Sequence, residues 1–177
     1  ASLSRTFGID ESIFRDAFND GISTLRLLHY KPPTGEKGLS NGHIDSGLLT
    51  VLAQCGVEGL QARDKSGDWI DVPPRDDGFA INFGGLLECW TGGRVKATEH
   101  RVLPVQRSRN SVPFFFEPRP STLIKPLPMS GVKPFEPFLY GDHLWAQTTK
   151  FPENLGLGYL RPARGPYTNP LAEAEEY

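Results

Sequence analysis

The chain has 177 residues, 38% of them hydrophobic, and its 19 basic and 21 acidic side chains leave a formal net charge of −2. This length and apolar content suit one buried core, which favours a single domain over 1–177. The charges are mixed along the chain without a basic stripe, which argues against a nucleic-acid partner, and no segment approaches the roughly 20 apolar residues of a membrane span.

Short segments of alternating character lie between the glycines and prolines, which number 19 and 16. This spacing is typical of an all-β sandwich or barrel with few helices. A first helix is predicted over 11–18, because Asp10 can cap its start and apolar residues recur there at helical spacing.

The next part of the chain predicts two strands and a hairpin. The strands cover 23–30 and 46–54, and the second is apolar enough to be buried on both faces. The hairpin covers 59–72, because alternating residues flank a turn at Ser66 and Gly67.

The remaining segments predict further strands and a second helix. A polar tail is expected at the end of the chain. In chain order, the predicted elements are a buried strand over 79–83, a helical turn over 84–93, strands over 94–105 and 109–116, and a helix from about Asp142 to Lys150.

The two cysteines, Cys55 and Cys89, lie among apolar residues and form no Cys-x-x-Cys pair. We therefore expect buried thiols rather than a disulfide, as in a reducing compartment. The first residues lack the basic start and apolar middle of a signal peptide. These features favour a cytoplasmic protein.

A histidine and an aspartate lie two residues apart in NGHIDS, directly before an apolar run. On a strand, residues i and i+2 point to the same face, so His43 and Asp45 both project inward if Ile44 points outward. His100, in the strand-like segment ATEHRV, is a third candidate ligand. Two imidazoles and one carboxylate without a thiolate suit non-haem Fe(II). Zinc is the rival metal, although no HExxH motif is present.

The segment RNSVPFFF, over 109–116, places Arg109, Ser111 and Phe115 on one face of a strand. An inward arginine without a partner would cost several kcal/mol unless an anion meets it. A guanidinium beside a hydroxyl is a good receptor for a carboxylate. The alternatives are that the arginine head reaches solvent or pairs with a protein acid such as Glu117.

These segments, together with GLQARDKSGDWIDVPP and INFGGLLECWTGGRVKATEHRV, resemble the catalytic half of the 2-oxoglutarate and Fe(II)-dependent dioxygenases of the isopenicillin N synthase type. The resemblance runs from about Leu25 to Pro120. It implies a mainly β fold, a double-stranded β-helix or jelly roll over about 22–120 with a few flanking helices. A C-terminal helix and tail would occupy 121–177.

The resemblance also implies roles for individual residues. His43, Asp45 and His100 would hold iron. Arg109 and Ser111 match the family's Arg-x-Ser pair, which grips the far carboxylate of 2-oxoglutarate. Two further residues are candidates for supporting roles: Tyr30 for holding the cosubstrate, and Phe115 for lining the substrate pocket or filling the core.

The resemblance implies that a small organic substrate is oxidised by dioxygen, in the simplest case by hydroxylation, with release of succinate and CO2. Ascorbate is a candidate reductant. One alternative is an oxidase of the same fold that closes rings without 2-oxoglutarate and uses the Arg-x-Ser pair for a substrate carboxylate. Another is a catalytically silent metal-binding or scaffold module. We expect a monomer when the protein is full length.

Members of this family usually carry a further N-terminal region that packs on the barrel, and the resemblance implies that this region is absent from the present chain. A barrel left uncovered should expose more apolar surface than a monomer usually does. We therefore expect exposed apolar surface around Phe14, Phe18 and the sheet they touch, and association of the 177 residues alone.

Overall fold

A computed structural model describes residues 2–32 and 41–148, so the predicted polar tail lies outside the described residues. No helix in these two ranges is long and apolar enough to cross a membrane. The elements, in chain order, are α1 Ser2–Phe7, α2 Glu11–Phe18, β1 Thr24–Leu25, β2 Leu28–Tyr30, β3 Leu49–Ala53, β4 Leu60–Arg63, β5 Trp69–Asp71, β6 Ala80–Phe83, α3 Gly85–Trp90, β7 His100–Val102, β8 Arg109–Phe116, β9 Leu123–Ile124, β10 Phe138–Leu139 and α4 Tyr140–Thr148.

Two antiparallel sheets form the jelly roll predicted from the sequence. The larger sheet has the order β1-β8-β3-β6, and β2 also pairs with β8. The smaller sheet has the order β5-β4-β7, and β9 and β10 form a separate pair. Few helices accompany the strands, which agrees with the expected mainly β fold.

The larger sheet presents a row of three polar residues and one aromatic residue toward the site. Thr24, Phe115, Thr50 and Asn82 lie side by side across β1, β8, β3 and β6. The hydroxyl of Thr50 and the amide of Asn82 both donate to Asp45. Because side chains alternate along each strand, this row defines the inner face of the sheet.

The opposite face of the same sheet carries an apolar row. Leu25, Phe114, Val51 and Ile81 lie side by side on the same four strands. Leu25 is 61% exposed and Ile81 is 64% exposed. We call these four residues the outer apolar row, which is exposed at Leu25, Phe114 and Ile81 and half-buried at Val51.

Helix α2 has the bounds predicted from the sequence, and Asp10 caps it by accepting a hydrogen bond from the Ser12 amide at 2.8 Å. Phe14 is buried edge-to-face against Trp90, with ring centroids 5.2 Å apart. Phe18 stacks on Phe116 at 4.2 Å. The expectation that Phe14 and Phe18 are exposed is therefore wrong, since both aromatic side chains pack against the body of the protein.

The core lies between α2, α3, α4 and one end of the larger sheet. Aromatic and aliphatic side chains from these elements bury one another, which is the main favourable contribution to folding. The buried members of this cluster are Phe14, Ala17, Leu48, Leu86, Leu87, Trp90, Ile124, Leu127, Tyr140 and Leu144.

Several predicted elements differ from those in the structure. The segment 23–30 forms two short strands, β1 and β2, separated by Arg26 and the exposed Leu27. The strand predicted over 79–83 is not buried, because in the described residues β6 has β3 as its one neighbour and Ile81 faces solvent. The strand predicted over 94–105 is limited to β7.

The two helices at the ends of the described chain also differ from expectation. Helix α1 was not predicted, and α4 begins at Tyr140, before the expected start at Asp142. Cys89 is buried as expected, but Cys55 is exposed, because it lies after β3 in a turn with a positive φ of 52°. An apolar neighbourhood in sequence therefore did not indicate burial of Cys55.

We expect the outer apolar row to drive association of the chain in solution. Ile81→Thr should lower concentration-dependent association, because it removes an exposed apolar side chain while keeping a residue that suits a strand. Light scattering over a concentration series measures the effect. Ile70→Thr on β5 is the matched control, since Ile70 is also exposed but lies outside the row. An equal effect of both substitutions would contradict a special role for the row.

Candidate metal centre

The three predicted ligands come together through one isolated β-bridge. The main chains of His43 and His100 exchange two hydrogen bonds, of 2.9 and 3.0 Å, although His43 lies outside any named strand. His43 and Asp45 therefore do not belong to a regular strand, which was the geometry used to place them on one face. The bridge is nevertheless sufficient to bring His43 beside the start of β7, and Ile44 points outward as expected.

The side chains of these residues converge on one point. The Nε2 atoms of His43 and His100 each lie 3.7 Å from Oδ1 of Asp45. One ligand atom from each residue lies within 4.8 Å of the other two. Metal bonds to imidazole and carboxylate are about 2.0–2.2 Å long, so one ion could reach all three atoms after small side-chain adjustments. Two imidazoles, one carboxylate and no thiolate form the donor set that suits Fe(II) with open positions.

The second oxygen of Asp45 is held by two neighbouring strands. Thr50 Oγ1 donates to Asp45 Oδ2 at 2.5 Å, and Asn82 Nδ2 donates to the same oxygen at 2.9 Å. These bonds leave Oδ1 facing the two imidazoles. Partners of this kind orient metal ligands and raise metal affinity.

Thr50 and Asn82 were not identified from the sequence. Each is a polar residue in an otherwise apolar strand, LLTVL and AINF. A buried polar side chain needs a hydrogen-bond partner, so this pattern is a signal that could have indicated them. Their common partner could not have been identified in this way, because it depends on how the strands pair.

Both imidazoles direct their Nε2 atoms toward Oδ1 of Asp45, where the three ligands converge. His100 Nδ1 lies 3.0 Å from the carbonyl oxygen of Thr98, which favours a proton on Nδ1 and leaves Nε2 to accept a metal. Burial lowers the pKa of His43, the nearby His100 lowers it further, and Asp45 opposes both effects. A lowered pKa keeps the His43 imidazole neutral, which is the form that binds metals.

The loop that carries Asp45 is fixed by the start of α3. The amides of Gly84, Gly85 and Leu86 donate to the carbonyls of Leu48, Asp45 and Gly47, and the Gly85–Asp45 bond is 2.7 Å long. A Cβ at Gly84 would collide with the carbonyl oxygen of Gly47. Glycine at 84 therefore allows the backbone of α3 to approach the ligand loop closely.

Arg109 is the most unusual buried side chain of the protein. It is 2% exposed, and its Nε, Nη1 and Nη2 atoms have no hydrogen-bond partner among the described residues. The Tyr30 ring lies 5.1 Å from the guanidinium carbon, and burial lowers the pKa of Arg109. The free energy of this arrangement is unfavourable unless an anion binds there.

The surroundings of Arg109 leave room for such an anion. Ser111, also buried, lies two residues further along the same face of β8, and the register pairs Arg109 with Tyr30. A Cβ at Gly59 would lie 3.2 Å from Arg109 Nη1, so glycine at this position lets the guanidinium approach the main chain. These residues fit a carboxylate, which a guanidinium and a hydroxyl bind together.

Glu117 does not serve as the partner of Arg109. Burial raises the pKa of Glu117, and the neighbours that oppose this shift include Tyr140 and Ser46 but not Arg109.

Phe115 lies on the inner face opposite Thr50, is half-buried, and has the Arg26 guanidinium over its ring at 5.5 Å. Arg26 was not identified from the sequence.

Comparisons with known proteins agree with this geometry. The family model of the 2OG-Fe(II) oxygenase superfamily matches residues 22–118. A 2-oxoglutarate-Fe(II) type oxidoreductase of Emericella nidulans is 38% identical over 135 residues, which cover 72% of this chain and 39% of the relative. Scopoletin 8-hydroxylase of Arabidopsis thaliana is 37% identical over 125 residues, covering 66% of this chain and 35% of the relative.

A solved structure gives the same result for the fold. A full-length Neurospora crassa protein, crystallised in complex with α-ketoglutarate and thymine, superposes with a TM-score of 0.76 at 26% identity, over 84% of this chain and 50% of that chain. The present chain therefore spans half of that protein, and only 39% and 35% of the two curated relatives.

We expect Thr50→Val to lower the affinity for Co(II), used as a stable probe metal, by about ten-fold, because Asp45 Oδ2 loses one of its two donors. The substitution keeps the branched shape of the side chain, so the strand should remain intact. Competition with a chromophoric chelator measures the dissociation constant, and circular dichroism checks the fold.

Thr24→Val is the matched control for this substitution. Thr24 lies in the same inner row, but its hydroxyl donates to the carbonyl of Ile22 rather than to Asp45. If Thr50→Val and Thr24→Val bind Co(II) equally well, the hydrogen bond from Thr50 does not position the ligand.

Proposed function

The chain belongs to the 2OG-Fe(II) oxygenase superfamily, and from this premise we propose that it oxidises, by hydroxylation, a small organic substrate with release of succinate and CO2. One observation carries the proposal. Arg109, buried and without a hydrogen-bond partner among the described residues, lies on the same sheet face as Thr50, which holds Asp45. A metal donor set and a receptor for a carboxylate thus share one face of the barrel.

In this proposal, His43, Asp45 and His100 hold Fe(II), while Arg109 and Ser111 bind the far carboxylate of 2-oxoglutarate. Bound together, Fe(II) and 2-oxoglutarate supply the oxidation of a C–H bond by dioxygen, coupled to decarboxylation of the cosubstrate. The chain supplies placement, since a correctly oriented pair of reactants reacts far faster than a free pair.

Individual side chains contribute to that placement in different ways. Thr50 and Asn82 hold one oxygen of Asp45, so the other oxygen remains directed at the metal position. The planar fork of Arg109 can form two parallel bonds to a carboxylate, and Tyr30 covers one side of the guanidinium. Burial of Arg109 excludes water, which strengthens its attraction for the anion.

The relatives support a small cyclic organic substrate. Scopoletin 8-hydroxylase and the thymine complex of the Neurospora crassa protein are both named for small ring compounds. We further propose that the protein acts on such a compound and dioxygen rather than on nucleic acid, with ascorbate as the reductant. We also propose that the full-length protein is cytoplasmic and monomeric. The mixed charges and the net charge of −2 support the choice of a neutral or weakly charged partner over nucleic acid.

Succinate release separates this function from the two alternatives. The chain is incubated with Fe(II), ascorbate, dioxygen and 2-oxoglutarate, and succinate is measured by mass spectrometry. We expect succinate formation that Asp45→Ala abolishes. Oxygen consumption that does not depend on 2-oxoglutarate would favour the ring-closing oxidase. Metal binding without 2-oxoglutarate binding would favour the silent module.

We expect Arg109→Lys to raise the dissociation constant for 2-oxoglutarate by at least about ten-fold despite the retained charge, because an ammonium group cannot form the bidentate contact. Isothermal titration of the Zn(II)-loaded protein measures binding without turnover. Arg63→Lys is the control, since Arg63 is half-exposed and pairs with Glu99 at 3.0 Å. Equal affinity of the parent and Arg109→Ala for 2-oxoglutarate would contradict the assignment of Arg109.

A further inference from the structure

Trp69 lies between two arginine side chains on the smaller sheet. The centroid of its ring is 4.1 Å from the guanidinium carbon of Arg101 and 5.1 Å from that of Arg63. The register pairs Arg63 with Trp69, and it pairs Ala62 with the ligand His100. Because side chains alternate along a strand, Trp69 and both arginines lie on the face of the sheet opposite to the His100 side chain.

Hydrogen bonds hold the two arginines in place. Arg63 Nη1 pairs with Glu99 Oε2 at 3.0 Å, and the Arg63 amide donates to the Glu99 carbonyl at 2.8 Å. Arg101 Nε donates to Gln61 Oε1 at 2.9 Å. Guanidinium groups attract the face of an indole ring, so two fixed cations fix the ring between them.

An edge of this indole ring faces Gly42, the residue directly before the ligand His43. A Cβ at Gly42 would lie 2.7 Å from Cη2 of Trp69 and 2.5 Å from Oε1 of Glu99, closer than side chains pack. Gly42 does not have a positive φ, so the backbone conformation there does not require glycine. The missing side chain instead lets the main chain pack directly against Trp69 and Glu99.

This contact precedes a ligand that no strand contains. His43 is joined to β7 by one isolated bridge, and its side chain is 40% exposed. The other two ligands lie in firmer surroundings, since Asp45 is buried and His100 begins β7. The direction of the His43 imidazole therefore depends on the path of the main chain at Gly42. Groups that orient a metal ligand raise the affinity for the metal.

We propose that Trp69, together with Glu99, is a positioning residue for the metal ligand His43. It acts through Gly42 and does not itself contact the metal position. In this scheme the outer side of the smaller sheet sets how tightly the metal is held. The inference rests on the metal centre of the proposed function, but it does not depend on the cosubstrate or on the substrate.

The test exchanges volume between positions 42 and 69 in the full chain. Gly42→Ala should lower the affinity for Co(II) by about ten-fold, because the added methyl group displaces the main chain before His43. Trp69→Phe keeps a ring between the guanidinium groups but removes the edge at Gly42, so it should lower the affinity as well. The double variant should bind Co(II) more tightly than either single variant, because the methyl group fills the vacated space and only the flexible end of Glu99 must move.

Two readouts separate positioning from a general loss of structure. Competition with a chromophoric chelator measures the dissociation constant, and the visible absorption spectrum of bound Co(II) reports its coordination geometry. The spectrum should change in Gly42→Ala and return toward that of the parent in the double variant. Gly78→Ala is the matched control and should change neither readout, since a Cβ there would lie 3.7 Å from Arg75 Cβ, an ordinary contact. Circular dichroism checks that each variant is folded.

The inference is overturned if Trp69→Phe binds Co(II) as tightly as the parent, or if the losses of the two single variants add in the double variant. A spectrum that is the same in the parent and Gly42→Ala also contradicts it. If the parent itself does not bind Co(II), the metal centre and the proposed function are both wrong. If the parent binds Co(II) but not 2-oxoglutarate, the proposed function is wrong while the role of Trp69 stands.

Discussion

The hydrogen bonding of the Asp45 carboxylate joins the parts of this structure that form the site. Asp45 Oδ2 accepts from Thr50 and Asn82 on adjacent strands of the larger sheet, and its main-chain oxygen accepts from Gly85 at the start of α3. Oδ1 faces His100 on the smaller sheet at 3.7 Å. One residue therefore connects two sheets and a helix, and each connection constrains where its free oxygen points.

The two faces of the larger sheet have different roles, one in binding and one in packing. On the inner face, Arg109 remains buried without a hydrogen-bond partner among the described residues, which destabilises the fold until an anion binds. Binding of an anion to the folded state alone then stabilises the protein by mass action. On the outer face, Phe116 packs against α2 through Phe18, so the sheet is anchored to the core at the end nearest the metal ligands.

Local signals in the sequence predicted the elements that depend on neighbouring residues. Helix α2 and strand β8 have the predicted bounds, because the capping of a helix and the two-residue period of a strand act within a few residues. His43 forms an isolated bridge instead of lying on a strand with Asp45, and the strand expected at 23–30 is interrupted after Leu25. Those outcomes depend on partners distant in the chain, which a local pattern does not contain.

The sequence by itself determined the chemistry of the ligands and the face on which Arg109 and Ser111 lie, because residue type and a two-residue period are local properties. Only the tertiary structure decided that Thr50 and Asn82 meet at Asp45 and that Arg26 reaches Phe115. These contacts are set by the register between strands far apart in the chain. A shift of one residue would turn each side chain to the opposite face of the sheet.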